Sequence, residues 1–155
     1  EKTFNLLQQV SGRAGRSKQY GKVMIQTYYP EQPVIKAIKK RDRKSFVQQA
    51  LKEREQFGIP PFGFMTAIII SGPTKSLIEK YALELVQTSK KDANINILGP
   101  VEAPIFLLRG KYRYRILLKG NSRKNLNKFN QKMLNSVPKP PSIKVILDVD
   151  PYSFM

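Results

Sequence analysis

The sequence predicts a mixed fold of helices and sheet, α/β in content and α+β in arrangement, divided into two regions. Three observations carry that expectation. Apolar residues recur at helical spacing in some segments and cluster in short β-branched runs in others. The block Gly58-Ile59-Pro60-Pro61-Phe62-Gly63 interrupts the chain, because consecutive prolines forbid helix and remove two backbone donors. Beyond that block, strand and helix patterns succeed one another in the order βαβββαβ. With 41% hydrophobic residues in 155, the chain can bury on the order of two-thirds of its unfolded surface, so a globular protein is expected and not a disordered basic tail.

In the first region Thr3 is placed to cap a helix whose apolar side is Phe4, Leu7 and Val10, with Gly12 and Gly15 breaking it. Lys22 to Tyr28 reads as a short buried strand ended by Pro30. Pro33 opens a helix over Val34 to Lys40, and Asp42 can cap a further helix to about Phe57, with Phe46, Ala50 and Phe57 along one stripe. The cations Lys39, Lys40, Arg41, Arg43 and Lys44 are read as a solvated face.

The second region starts at Pro60. Phe64 to Ser71 reads as a strand and Thr74 to about Lys90 as a helix burying Leu77, Ile78, Tyr81, Leu85 and Val86. Ile95 to Leu98 is a short strand, punctuated by Pro100 and Pro104; Ile105 to Arg109 and Tyr112 to Lys119 pair as a hairpin around Gly110-Lys111. A helix over Ser122 to Asn135, with Leu126, Phe129, Met133 and Leu134 inward, precedes a last strand, Ile143 to Val149. Two right-handed crossovers then place both helices on one face of a mainly antiparallel sheet: a split-βαβ, ferredoxin- or ribosomal-protein-like sandwich.

Charge narrows the partner. Lys plus Arg number 28 against 11 Asp plus Glu, a formal charge of +17, which makes a polyanion the default partner. From Arg109 to Lys144 there are eleven cations and no carboxylate. No apolar run is long enough to span a bilayer and no lipidation motif is present, so nucleic acid ranks ahead of a membrane. Zero Cys and zero His exclude disulfides, the usual zinc sites and imidazole acid–base chemistry, and fit a reducing cytoplasm.

Gln9-Val10-Ser11-Gly12-Arg13-Ala14-Gly15-Arg16 sets two arginines three apart at a helix end. Guanidinium grips phosphate oxygens bidentately, although cations near a helix C-terminus also simply complement its dipole. The octet resembles Q-x-x-G-R-x-G-R, the last motif of the second RecA-like lobe of superfamily-two helicases, matched by Gln9, Gly12, Arg13, Gly15 and Arg16. The resemblance implies that Gln9 and Gly12 lie beside ATP and that Arg13 and Arg16 are arginine fingers on its γ-phosphate, acting only with the first lobe present. No G-x-x-x-x-G-K-[ST] and no acidic pair after a strand is found, so the chain alone is expected not to hydrolyse ATP. With no initiator Met or signal peptide before a motif that normally comes late, a C-terminal fragment is expected.

In Tyr112-Arg113-Tyr114-Arg115, alternation sends the tyrosines to one side and the arginines to the other; the tyrosines are read as core, the arginines as functional. Asp148 and Asp150 share a face of the last strand, with a structural role preferred to a metal site.

Taken together, the octet, Glu53-Arg54-Glu55-Gln56-Phe57 before Pro60-Pro61-Phe62-Gly63, Gly99-Pro100-Val101-Glu102-Ala103-Pro104, Arg109-Gly110-Lys111-Tyr112-Arg113-Tyr114 and Leu147-Asp148-Val149-Asp150-Pro151 resemble the C-terminal portion of the bacterial primosomal replication-restart helicase family, the primosomal protein N′ (PriA) family. Where that family usually carries Tyr before the paired prolines, Ile59 stands here. The resemblance implies residues 1–41 as the end of helicase lobe 2, 42–59 as a connecting helix and 60–155 as a C-terminal domain binding DNA and partners. It implies an ATP- and Mg²⁺-dependent 3′→5′ DNA helicase that recognises stalled or branched forks and restarts replication by primosome assembly in the bacterial cytoplasm, at the nucleoid. Implied partners are forked and single-stranded DNA, the acidic tail of single-stranded DNA-binding protein, and other primosomal proteins. The family's zinc site lies outside this chain. Arg109, Lys111, Arg113, Arg115 and Lys119 are the candidate DNA contacts, and Arg123 the candidate grip on an acidic tail. Two other readings stay open: a stand-alone RNA-binding or ribosome-associated split-βαβ protein, and a pure protein-interaction platform.

Overall fold

The computed structural model describes residues 2–14, 22–89 and 92–151. They divide into two compact units, Glu1–Glu53 and Arg54–Met155.

The first unit holds α1 (Lys2–Arg13), α2 (Pro33–Lys40) and most of α3 (Arg43–Gln56). Four details differ from the sequence expectation. Thr3 lies inside α1 instead of capping it, and the helix runs through Gly12 to Arg13, since one glycine costs a helix only about 1 kcal/mol and does not stop it. Residues 22–28 form no strand: Met24 and Tyr28 are almost fully exposed, and no described segment offers them a partner to complete a ladder. The capping of α3 is as expected, with Ser45 N donating to Asp42 Oδ1 at 3.0 Å. Its half-buried stripe is Phe46, Ala50 and Arg54; Phe57 lies past the helix end and is exposed. Phe4, the one buried residue described in this unit, stacks on Phe46 with ring centroids 4.9 Å apart.

The second unit reads β1 (Phe64–Gly72), α4 (Lys75–Thr88), β2 (Ile95–Leu108), β3 (Lys111–Gly120), α5 (Arg123–Asn135) and β4 (Lys144–Val149). The sheet order is β2-β3-β1-β4, with every neighbouring pair antiparallel. That is the split-βαβ arrangement, written βαββαβ, not βαβββαβ. The two strands expected at 95–98 and 105–109 are a single strand, because the prolines between them sit in irregularities of an edge strand instead of ending it. One register shift falls between Leu98 and Val101 and a larger one between Glu102 and Leu107. At the first, Gly99 has φ +101°, and a Cβ there would lie 2.9 Å from Arg115 O, so the bulge requires glycine.

The hairpin turn is Arg109-Gly110, one residue earlier than expected. Both residues have positive φ (51° and 72°), as a two-residue primed turn demands, and Leu108 pairs with Lys111 across it.

The core lies between the sheet and the two helices. Ile68 and Ile70 of β1 and Ile116 and Leu118 of β3 are fully buried beneath Ile78 and Leu85 of α4 and Leu126 and Met133 of α5. Asn130, not anticipated as an inward residue, also faces the core four positions after Leu126. Its Nδ2 donates to Thr66 Oγ1 at 3.1 Å, which joins α5 to the central strand by a buried polar contact.

Candidate nucleic-acid interface

Residues directly opposite each other in an antiparallel pair share a face, so the register sorts every side chain of the sheet. Tyr112, Tyr114, Ile116 and Leu118 stand opposite Gly72, Ile70, Ile68 and Thr66 and face the helices. Tyr114 is buried, and Phe106 packs against both tyrosines with centroids 5.3 and 6.0 Å away. The tyrosines are core, and burial pushes the Tyr114 phenol above its ordinary pKa.

The alternate residues, Lys111, Arg113, Arg115, Leu117 and Lys119, face the opposite way, about 6.6 Å apart along β3. On this open face Arg113 stands opposite Ser71, itself opposite Lys144 of β4, while Arg115 stands opposite Ile69 and Ile69 opposite Ile146. Lys144 therefore joins Lys111 and Arg113 at one end of the face. It was missed in the sequence because only the register brings β4 next to β1. Apolar side chains lie beside them: Leu98, Val101 and Ile146 are between 43% and 57% exposed. Asp148, opposite Ala67, is the carboxylate of this face on β4.

The five expected DNA contacts thus occupy different situations. Lys111 is exposed and Arg113 half-buried. Arg109 sits in the turn in the left-handed region. Arg115 is only 8% exposed, beneath the surface its neighbours form. Lys119, half-buried, donates from Nζ to Phe57 O at 2.7 Å, tying down the segment before the paired prolines, and Arg54 Nη1 donates to Pro60 O in the same segment.

Arg123 begins α5 with its guanidinium 4.9 Å from the Phe64 ring centroid and an ion pair to Asp150 Oδ2. Asp150 also accepts from Met65 N through Oδ1 at 3.0 Å and donates its own N–H to Met65 O at 2.8 Å. It closes β4 onto β1 as a structural residue. At the far end of the sheet Lys75 pairs with Glu102 at 2.9 Å and lies over the Phe106 ring, and the Glu102 carboxylate raises the Lys75 pKa. Among the described residues no cluster of three His, Cys, Asp or Glu could hold a metal ion, and no helix is long and apolar enough to cross a membrane.

In the first unit Gln9 and Arg13, four apart, lie on one side of α1 and are exposed, as is Gly12, with nothing within 4 Å of where its Cβ would be. Gly15 and Arg16 lie outside the described residues.

Residues 55–152 match the family model described as "Primosomal protein N C-terminal domain". The replication restart protein PriA of Rickettsia conorii is 39% identical over 154 residues, covering 99% of this chain and 24% of its own. The proteins of the same name from Haemophilus influenzae and Bacillus subtilis are 32% and 31% identical over 97% and 100% of this chain, and 21% and 20% of their own. The chain spans a quarter or less of the length of these curated relatives. The family model's match to residues 55–152, which hold the antiparallel β2-β3-β1-β4 sheet and its two helices, and relatives 31–39% identical across nearly all of this chain place it in the primosomal protein N C-terminal domain family.

Proposed function

We propose that this chain serves as the C-terminal part of an ATP-dependent 3′→5′ DNA helicase that recognises stalled or branched replication forks and restarts replication through primosome assembly. The observation that carries the DNA-binding part is the cationic end of the open sheet face, where the register brings Lys111, Arg113 and Lys144 together. Contacts to phosphate supply affinity without reading bases, so selectivity at this face is for the shape of the nucleic acid. In the same proposal Gln9, Gly12, Arg13 and Arg16 complete a site for ATP and Mg²⁺ whose phosphate cradle is supplied elsewhere in the protein. The chain has no ATPase activity of its own in this reading, and it works in the bacterial cytoplasm on nucleoid DNA. Its protein partners are the acidic tail of single-stranded DNA-binding protein and other primosomal proteins. Arg123 meets the acidic tail by exchanging Asp150 for an external carboxylate.

The test is binding of the whole chain to forked DNA across a salt series. Arg113→Glu with Lys144→Glu is expected to weaken binding at least tenfold and to flatten the log–log salt slope by about 2, roughly 0.9 per lost phosphate contact. An unchanged affinity and slope would remove the sheet face from the interface.

A further inference from the structure

We propose that the outer face of α5 is a second nucleic-acid site, a track for phosphodiester backbone formed by Lys124, Lys128 and Lys132, on the side of the domain opposite the sheet face. This rests on the reading that the domain binds DNA and adds where a second segment goes.

The helix buries Leu126, Phe129, Asn130 and Met133 and leaves the three lysines exposed, with the exposed amides Asn127 and Gln131 between them. Steps of four residues stack the ammonium groups along one side at intervals of about 6 Å. The helix contains no Asp or Glu. That composition breaks two local rules at once. Like charges at i,i+4 repel, and Lys124 stands in the first turn, where the helix dipole is already positive and no acidic residue answers it. On α4 such charges are matched: Lys75 has Glu102 at 2.9 Å, and Lys80 has Glu84 one turn on at 3.9 Å. Among the described residues none of the three lysines forms an ion pair, although Asp92 lines the same hollow between α4 and α5 as Lys132. Lys132, in the last turn, complements the helix dipole and shares a hollow with Asp92, but Lys124 and Lys128 carry local destabilisation that nothing in the fold answers, which marks a surface whose countercharge comes from outside.

Ammonium groups on flexible stems suit point contacts to phosphates without base readout. A helix layer about 10–12 Å thick on top of the sheet separates the two surfaces, and they face away from each other. A straight duplex lying on the sheet face does not reach α5, whereas two arms of a branched DNA pass on either side of the domain. Two backbone sites back to back make branch recognition a matter of reach.

The experiment compares the whole chain with its Lys124→Ala/Lys128→Ala/Lys132→Ala variant, titrated with a three-arm DNA junction and with a short linear duplex over a salt series. Alanine is the better helix former and removes the repulsion, so the thermal midpoint is expected to hold or rise. Junction affinity is expected to fall tenfold to a hundredfold, with the salt slope reduced by about 2–3, while duplex affinity changes by less than about twofold. Unchanged junction binding overturns the proposal. So does a variant that loses only an acidic peptide probe, which would assign α5 to a protein tail. If Arg113→Glu/Lys144→Glu spares duplex binding while the α5 variant abolishes it, the sheet face fails and the α5 track stands.

Discussion

Residues 2–53 and residues 54–151 use similar apolar residues to different ends. Among the described residues the first unit buries only Phe4, and Leu6, Val10, Met24, Tyr28 and Tyr29 are all more than half exposed; the second gathers fifteen residues into one core. In the first unit local devices decide the shape: the Asp42 cap, Pro33 opening α2, and a left-handed Arg41 closing it with its amide on Ala37 O and Ile38 O. Helices of 8 to 14 residues held by such devices are marginal in water without burial. In the second unit tertiary packing decides. Shape and stability thus come from separate sources in the two units.

The largest expected effect separates them directly. Ile68→Ala removes a fully buried side chain at the centre of the sheet and is expected to lower unfolding stability by about 2–5 kcal/mol in urea titration. Phe4→Ala is expected to leave that transition in place and to reduce hydrogen-exchange protection in α1 about tenfold, roughly 1.4 kcal/mol of local opening. If both substitutions shift one shared transition alike, the contrast between the units is wrong.

A smaller effect is expected at Asp150. Asp150→Ala loses the acceptor for Met65 N and the partner of Arg123 and is expected to cost about 1–2 kcal/mol, read as a lower thermal midpoint of the second unit alone; Asp150→Asn is expected to cost about half as much.

The smallest effect is in pH dependence, where the units are expected to weaken at opposite ends. The Ser45 amide holds the Asp42 carboxyl below its ordinary value of 3.8, so its contribution to α3 is complete above that value and disappears as acid protonates the folded form. Burial raises the Tyr81 and Tyr114 phenols above the ordinary 10, so their contribution is complete below pH 10 and fades as alkali ionises them. Acid is expected to speed exchange in α3 first, and tyrosinate absorbance to rise together with loss of the second unit's core. Simultaneous loss of both units at either extreme would sink the distinction.

Legibility divided along the same lines of force. The central strand and both helices of the second unit could be read to within a residue or two, because their apolar periods are long and are answered by burial. Residues 22–28 have strand composition, but composition does not supply a partner, and no strand forms. Pro100 and Pro104 read as terminators, yet at an edge a missing donor is tolerated and β2 continues through them. In the candidate site the alternation of Tyr112 to Arg115 was visible and correctly separated core from open face. The burial of Arg115, the convergence of Lys144 on Arg113 and the inward Asn130 were not, since each depends on which strands become neighbours.

The same irregular β2 also limits how this protein can meet copies of itself. It is the longer outer strand of the sheet, rich in exposed Val101, Ile105 and Leu107, and a flat ladder of that composition would template intermolecular cross-β growth. Two imino acids without amide protons and two jogs in register deny an incoming strand any continuous row of donors, and at the other margin β4 is only six residues long. A sheet built this way resists lengthening by edge-to-edge pairing, so its strand count is set from within.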